Sequence, residues 1–504
     1  MADSLFKRYR SKFSTNTVSL LISSILTFLI PKFLGPASYG NFNFLNSFFA
    51  QIFGFLSLGT PLAFFTKLSQ RQDEFKIIRF YILFLVALIC FATFSLVIIY
   101  ITGYASILFV EISFNFVLLA FAYSFLIFIV EIVRKVNDAL AFTLISERVF
   151  VISRIVILLM VTLFIYYGFF SLLIYYYILI IGSCILLGSW FYYLSIKDVK
   201  PLSGRYKMNN GSLNKYFWEF YNYSFPLFTL GVIAIISGLG ERWILQYYGG
   251  SVEQGYYSIS YAFASIIFLF TGSMSPLFTR EFSAAWIIKD FVRMRQLYNK
   301  IIPVLIICAT YLSFFVVFNS ENIVELVLDE SYADAGVIIS IMAIYPIHQT
   351  YGQLLGSIIY GSGNTKFMRN VSIPLDLLGL LATLYLLLPI HMGGLEMSSE
   401  GLAYKMVLVQ IIVVNIYLIY CTKLLQVSFW SSLKFEVIIF FSFAVIAFVT
   451  SRFSDIFESN YAQLVFNGAI YSVSCILFFV SFPSLLPLTK NDYKYFKNSL
   501  TLKK

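Results

Sequence analysis

Long apolar runs, each about the length needed to cross a bilayer, recur along this chain. An α-helix rises 1.5 Å per residue, so about 20 apolar residues span a hydrocarbon core of ~30 Å. Such runs occupy 14–34, 43–65, 78–102, 107–131, 148–168, 171–195, 223–247, 255–279, 300–319, 335–360, 368–390, 401–422, 433–451 and 462–484. A soluble fold would interrupt them with polar helix faces. Charged residues make up 12% of the chain and hydrophobic ones 60%, roughly half the charge share of an ordinary soluble protein. The sequence predicts an all-α membrane protein of about fourteen transmembrane helices and no substantial soluble domain.

Loop charge sets the expected orientation, because Lys and Arg accumulate in cytoplasmic loops. Thirty of the 35 basic residues fall on the side of the N-terminus, from Lys7, Arg8, Arg10 and Lys12 through the tail Lys490–Lys504. The opposite loops hold only Lys32, Arg242, Lys405 and Arg452, and the 319–335 loop there is acidic. A missed span would scramble every later loop, so the helix number is expected to be even, with both termini cytoplasmic. The net charge of +10 is then a topology signal, and no nucleic-acid partner is implied. The first run reads as a retained helix rather than a cleaved leader, because no small-residue cleavage site follows it.

The five cysteines, Cys90, Cys184, Cys308, Cys421 and Cys475, lie in or beside apolar runs and form no CxxC pair. The two histidines, His348 and His391, belong to no HExxH set. Neither a metal site nor a disulfide framework is suggested.

An internal repeat organises the chain. Gly35-Pro-Ala-Ser-Tyr-Gly40-Asn-Phe42 follows the first span, and Gly250-Ser-Val-Glu-Gln-Gly255-Tyr-Tyr257 follows the seventh. At the same offset of 215 residues Pro61 matches Pro276, late in the second and eighth spans. Glycine supplies backbone freedom for a tight turn, and proline kinks the helix that follows. Six spans per repeat start both halves on the same side, so the repeat is parallel. The expected organisation is a six-helix bundle over 1–195, a cytoplasmic linker 196–222, a second six-helix bundle over 223–425, and an added helix pair with a basic tail over 426–504. Such a plan suits a transporter with its pathway between the bundles.

Phe33-Leu-Gly-Pro-Ala-Ser-Tyr-Gly-Asn-Phe42 resembles the first-loop signature of the Wzx-type O-antigen and polysaccharide flippases. Gly240-Glu-Arg-Trp-Ile-Leu-Gln-Tyr-Tyr-Gly-Gly-Ser-Val-Glu-Gln-Gly-Tyr-Tyr257 resembles their matching signature at the seventh and eighth helices. By motif the resemblance covers those two stretches, and by topology most of the chain. The superfamily includes MATE exporters and lipid II flippases. The resemblance implies movement of an undecaprenyl-pyrophosphate-linked oligosaccharide across the bacterial inner membrane by alternating access. It implies no covalent chemistry and no cofactor beyond a coupling sodium ion or proton. The implied partners are the lipid-linked glycan, membrane lipids and other polysaccharide-assembly membrane proteins.

A charge in the middle of a membrane helix costs roughly 2.5–3.5 kcal/mol on insertion scales, so such residues are candidates by default. Arg154, two turns into the fifth span, is placed either to meet diphosphate oxygens or to snorkel to the interface. Asp376, two residues after Pro374, is a candidate for ion coupling or for a structural ion pair. Glu241 and Arg242 form a candidate gating pair. Lys67 and Arg280, near-equivalent in the repeat, are candidates for first capture of a diphosphate, with ordinary positive-inside charge as the alternative. Lys405 and Lys32 complete the set of possible translocation cations. Glu131/Arg134 and Glu147/Arg148 read as salt bridges at the ends of one inner loop.

Two other classes compete. A MATE-like cation-coupled drug exporter shares the parallel plan but favours an acidic cavity. A membrane glycan polymerase or acyltransferase would need catalytic groups on a sizeable outer loop, and the outer loops here are short.

Overall fold

In hydrocarbon no water is available to the backbone, so each peptide group must bond within its own helix. The computed structural model describes residues 5–71, 74–140, 142–196, 210–454 and 459–486. Among these residues the secondary structure is entirely helical: α1 (Leu5–Leu56), α2 (Thr60–Gln70), α3 (Lys76–Ile101), α4 (Ala105–Leu108), α5 (Phe114–Ala139), α6 (Thr143–Tyr166), α7 (Leu172–Ile196), α8 (Asn210–Ile287), α9 (Phe291–Val327), α10 (Ala335–Met342), α11 (Tyr345–Gly361), α12 (Thr365–Leu387), α13 (Ser398–Leu425), α14 (Phe429–Ser454) and α15 (Asn460–Ser481), with short 3₁₀ turns between some of them.

Ten of these helices are long and apolar enough to cross a membrane, or eleven if the bent pair 231–269 and 274–287 counts as one span. The count departs from fourteen for identifiable reasons. The first two apolar runs are joined in α1 through Gly35, and the seventh and eighth in α8 through Gly250. The run 335–360 is divided into α10 and α11 at residues 343–344. There Pro346 opens α11, a position where its missing N–H costs nothing. Large apolar side chains face outward: Phe94 is 64% and Leu159 61% exposed. In water that pattern would drive aggregation, whereas lipid is as apolar as the side chains themselves. The chain is a multi-pass membrane protein.

The breaks at Gly35 and Gly250 give the repeat a backbone signature. Gly35 has φ 73° and ψ 165°, and Gly250 has φ 80° and ψ −175°. That region is essentially closed to any residue with a Cβ. The second glycine of each motif serves a different need. Gly40 and Gly255 are helical, and each meets backbone. A Cβ on Gly40 would lie 2.0 Å from the Ser251 carbonyl oxygen, and one on Gly255 would lie 2.1 Å from that of Pro36. The two motifs therefore pack on each other at glycine-permitted distance, as small residues allow in membrane helices.

The matched prolines differ in setting: Pro61 opens a new helix, whereas Pro276 lies inside α8. Residues 57–59 break the chain after α1, with Leu58 and Gly59 at positive φ, and Pro61 lies in the first turn of α2. At the equivalent place α8 bends by 46° between Leu269 and Met274, just ahead of Pro276. Pro61 thus restarts a helix after a break, and Pro276 follows a bend inside one.

Two compact units divide the chain at Gly255–Tyr256, within α8. Of the expected linker, 197–209 lies outside the described residues and 210–222 is the start of α8. The basic tail from 487 onward is also outside the described residues. The first unit is built on phenylalanine: Phe44, Phe49 and Phe53 of α1 bury against Phe109, Val117 and Tyr176. A second cluster joins Phe64 of α2, Tyr81 of α3 and Phe220 of α8, with Phe64 and Tyr81 stacked at 4.2 Å. In the second unit Tyr351, Leu354, Leu355 and Ile358 of α11 pack with Phe282, Ile302, Ile306 and Leu418. The pair α14–α15 shares a core with α9 and α11 through Phe443, Tyr471, Phe314 and Ile347.

The glycine contact predicts an asymmetric substitution pattern. Gly40→Ala and Gly255→Ala are each expected to destabilise by about 1–3 kcal/mol, because the opposing carbonyl must retreat. Gly54→Ala, whose Cβ meets nothing within 4 Å, is expected to be neutral or to stabilise slightly. Thermal unfolding of the three purified variants in one detergent checks the order.

Candidate functional site

A membrane protein that handles a polar solute must place hydrogen-bonding or charged groups where its helices otherwise bury apolar ones. Each unit contains at least one such place among the described residues.

In the first unit a small cavity of about 90 Å³ opens between α5, α6 and α7, lined by Arg134, Arg154, Phe150, Tyr123, Glu131 and Ser183, among others. Phe150 lies between the two arginines. The Arg134 guanidinium carbon is 4.2 Å and that of Arg154 5.1 Å from its ring centroid. Arg134 Nη2 donates to Glu147 Oε1 at 3.1 Å, and Glu147 is 1% exposed. The salt bridge thus runs from α5 to α6, between residues assigned from sequence to two separate pairs. Glu147 and Arg148 are adjacent on α6 and point apart, and the facing helix brings Arg134 to Glu147. Arg154 has no salt-bridge partner among the described residues; its guanidinium lies over the ring of Phe150, and Glu131 lines the same cavity. It is the cavity arginine without a salt bridge.

In the second unit a larger cavity of about 580 Å³ lies between α8, α11, α12 and α13. Its polar lining is uncharged: Gln349, Gln353, Gln410, Ser275, Ser357, Thr279, Tyr360 and Tyr417. The sequence reading ranked ionisable residues, and so passed over the glutamines. The signal it missed is the spacing of Gln349, Gln353 and Ser357 on one face of α11 beside Gly352 and Gly356. These glycines clear room: a Cβ on Gly352 would lie 2.7 Å from Gln410 Nε2. Ser275 and Ser357 hydroxyls meet at 2.8 Å, and Tyr417 Oη is 3.1 Å from Ser372 Oγ. Gln353 Oε1 is a buried acceptor without a hydrogen-bond partner. Pro276 is part of the lining. Asp376 is half-buried one turn beyond Ser372 on α12.

The other candidate charges lie elsewhere. Lys67 is held in an ion-pair network, with Nζ 3.3 Å from Glu219 Oε1. Arg71 also pairs with Glu219 and, at 3.1 Å, with Glu74, to which Tyr216 donates. Burial and the Glu74 carboxylate push the Tyr216 hydroxyl well above its ordinary pKa. This network ties the end of α2 to the start of α8. Arg280 and Lys32 are exposed, and Lys405 is buried. Arg242 Nη1 donates to Gln254 Oε1 at 3.1 Å, and Gln254 Nε2 returns a bond to the Arg242 carbonyl at 3.1 Å. Glu241 and Arg242 are both half-buried. Beside them Ser251 bonds Asn41 at 2.7 Å, and its N–H donates to Glu111 at 2.8 Å. Arg242 is therefore fastened next to the glycine contact.

No protein-family model matches the chain, and no curated protein matches it in sequence. Solved structures do match in fold. The structure described as "Lipid II flippase MurJ, inward closed conformation" superposes with a TM-score of 0.65 at 16% identity, over 95% of this chain and 99% of that one. An inward-facing MATE-family multidrug transporter of the MOP superfamily gives 0.64 at 13% identity, over 81% and 94%. An outward-facing structure of the same description gives 0.52 at 13% identity, over 83% and 96%. The chain shares the fold of these structures. At these identities the likeness establishes the fold alone.

The two arginines beside Phe150 are expected to differ in stability. Arg134→Ala leaves Glu147 buried without its partner and is expected to cost on the order of 3 kcal/mol, the lower end for a broken buried pair because Arg134 is partly exposed. Arg154→Ala strands no carboxylate and is expected to shift stability by less than about 1 kcal/mol. Thermal unfolding of both variants, with Arg134→Ala/Glu147→Gln recovering part of the loss, checks the assignment.

Proposed function

We propose that this protein flips a lipid-linked oligosaccharide, in the manner of the Wzx-type polysaccharide flippases that its two signature stretches resemble. The substrate on this reading is an undecaprenyl-pyrophosphate-linked repeat unit, moved from the inner to the outer leaflet of the bacterial inner membrane for O-antigen or another polysaccharide. The observation that carries the proposal is the uncharged, amide- and hydroxyl-lined cavity on α11. Sugar hydroxyls donate and accept, and glutamine, serine and tyrosine answer both roles without fixed charge. An organic cation would favour carboxylates, and none is among the residues lining that cavity. Arg154 adds a cation suited to phosphate oxygens, as guanidinium geometry matches them.

The motif resemblance and the fold likeness to a structure named a lipid II flippase point the same way. That structure matches over 95% of this chain, against 81% for the inward-facing MATE transporter. The proposal takes fourteen crossings, both termini cytoplasmic, and two parallel six-helix bundles with an added pair. A diphosphate-linked sugar cannot enter hydrocarbon unaided, because unpaired polar groups cost several kcal/mol each there. The polar cavities would carry the head while the polyprenyl tail stays in lipid, and no bond is made or broken. Lys67, Arg280, Lys405 and Lys32 remain in the proposal as the path's other cations, and Asp376, Glu241 and Arg242 as its coupling or gating groups.

The test is reconstitution in liposomes with a fluorescent undecaprenyl-pyrophosphate oligosaccharide and an impermeant quencher outside. Protein-dependent quenching of probe that began in the inner leaflet is expected. Arg154→Ala and Gln349→Leu/Gln353→Leu are each expected to slow it about tenfold, the equivalent of 1.4 kcal/mol. No quenching with several glycans, together with efflux of an organic cation driven by sodium or protons, would replace this reading with drug export.

A further inference from the structure

The second unit contains a buried acid–base contact that neither cavity explains. His348 Nδ1 of α11 is 3.3 Å from Glu436 Oε1 of α14, and the two side chains are 10% and 9% exposed. The phenyl ring of Phe440 lies 6.4 Å from the imidazole, itself packed edge-on against Phe314 at 4.8 Å. Among the described residues neither member has another ion-pair partner. From sequence His348 had no visible partner, since Glu436 is 88 positions away.

The groups facing the pair are hydroxyls and a thiol. Tyr298 of α9 donates to Ser432 Oγ, one turn from Glu436, at 2.9 Å, and its hydroxyl is 3.3 Å from that of Tyr351 on α11. Cys421 of α13 points at the Leu355 carbonyl of α11. From α15 the shared core receives Tyr471 and Cys475. Tyrosine and cysteine do not supply a fixed counter-charge there.

Charge counting then limits the pair. With no proton it is one negative charge in a dry apolar core, which costs several kcal/mol. With one proton it is neutral overall, whether as imidazolium–carboxylate or as imidazole–carboxylic acid. With two it is a buried cation. Only the one-proton state leaves the buried pair without net charge.

The position of the pair couples it to the cavity. On α11, His348 and Tyr351 face α14 and α9, while Gln349, Gly352 and Gln353 line the cavity. A displacement of α11 by cavity occupancy therefore bears on the His348–Glu436 contact. We propose that His348 and Glu436 form a proton-binding site that couples proton exchange to occupancy of the α11 cavity. One proton enters from the aqueous phase as the contact closes, taking the pair from net −1 to neutral, and returns to water when α11 moves and Glu436 is hydrated. Only the coupling to transport rests on the flippase reading; the proton site itself stands apart from it.

The experiment uses the full chain in liposomes, with the fluorescent undecaprenyl-pyrophosphate oligosaccharide as probe and an imposed pH gradient. With one proton exchanged per cycle, each unit of gradient shifts the steady-state leaflet ratio about tenfold. That shift is expected in the wild type and lost in Glu436→Gln and in His348→Gln, the second variant serving if the first does not fold. A wild type that flips with no response to the gradient, or variants that respond as the wild type does, overturns the proposal. If the wild type does not flip the probe at all, the flippase reading fails. The proton site is then read by infrared titration of the protein without glycolipid. A protonated-carboxyl band that titrates in the wild type, disappears in Glu436→Gln and moves its midpoint in His348→Gln upholds the site; spectra unchanged by both substitutions overturn it.

Discussion

Breaking a helix inside a membrane frees backbone groups that lipid cannot satisfy, and the rest of this structure depends on how that constraint is met. The chain places two of its breaks at matched positions, Gly35 and Gly250, in a backbone region that excludes other residues. The helices that restart there then press together at Gly40 and Gly255, carbonyl against Cα. That approach brings Asn41, Ser251, Gln246 and Glu111 within hydrogen-bonding distance of one another or of nearby backbone. Larger residues at 40 and 255 would open the contact and leave those polar groups in an apolar setting.

Charge is handled with the same economy. Where Arg134 meets a buried carboxylate, the pair closes on itself, and where Lys67 and Arg71 gather, Glu74 and Glu219 answer them. These contacts fasten α5 to α6 and α2 to α8. Arg154 departs from the pattern, with an aromatic face in place of a carboxylate. A cation–π contact offsets part of a charge while leaving all the guanidinium donors to a ligand. On the proposed reading, the distinction between a closed pair and an open cation separates a structural arginine from one that meets the substrate.

Fold class was plain in the sequence because lipid demands long apolar runs, and each run maps onto helix. The repeat was legible too, since Gly35 and Gly250 answer a local backbone demand that only glycine meets. The second glycines were read as part of the same turn, because a helix–helix approach leaves no local trace. The kink expected at Pro276 matches the bend in α8, whereas Pro61 follows a break that depends on Leu58 and Gly59. The site was harder to see. Arg154 stood out as a charge in an apolar run, but its lack of a partner is a fact about α5, α6 and α7 together. Gln349, Gln353 and Gln410 carry no charge and sit among apolar neighbours, so a search for ionisable groups passes them. His348 and Glu436 become a pair only through the packing of α11 on α14.

An uncharged lining also answers a requirement that tight binding would defeat. A carrier must release its cargo, and a fully desolvated ion pair in the cavity would hold it. Hydrogen bonds to glutamine and serine exchange with water at a net gain of only about 0.5–1.5 kcal/mol each. Several together orient a glycan, and each is readily returned to solvent when the cavity opens. The acceptor of Gln353, buried without a partner in this structure, makes the bound state the better satisfied one on the proposed reading. The emptied cavity regains that cost only through water. On the proposed reading, strong charge at Arg154 and weak, replaceable bonds along α11 would separate holding the phosphate from recognising the sugar. Such a division would suit a substrate class whose sugars vary while its phosphate linkage stays constant.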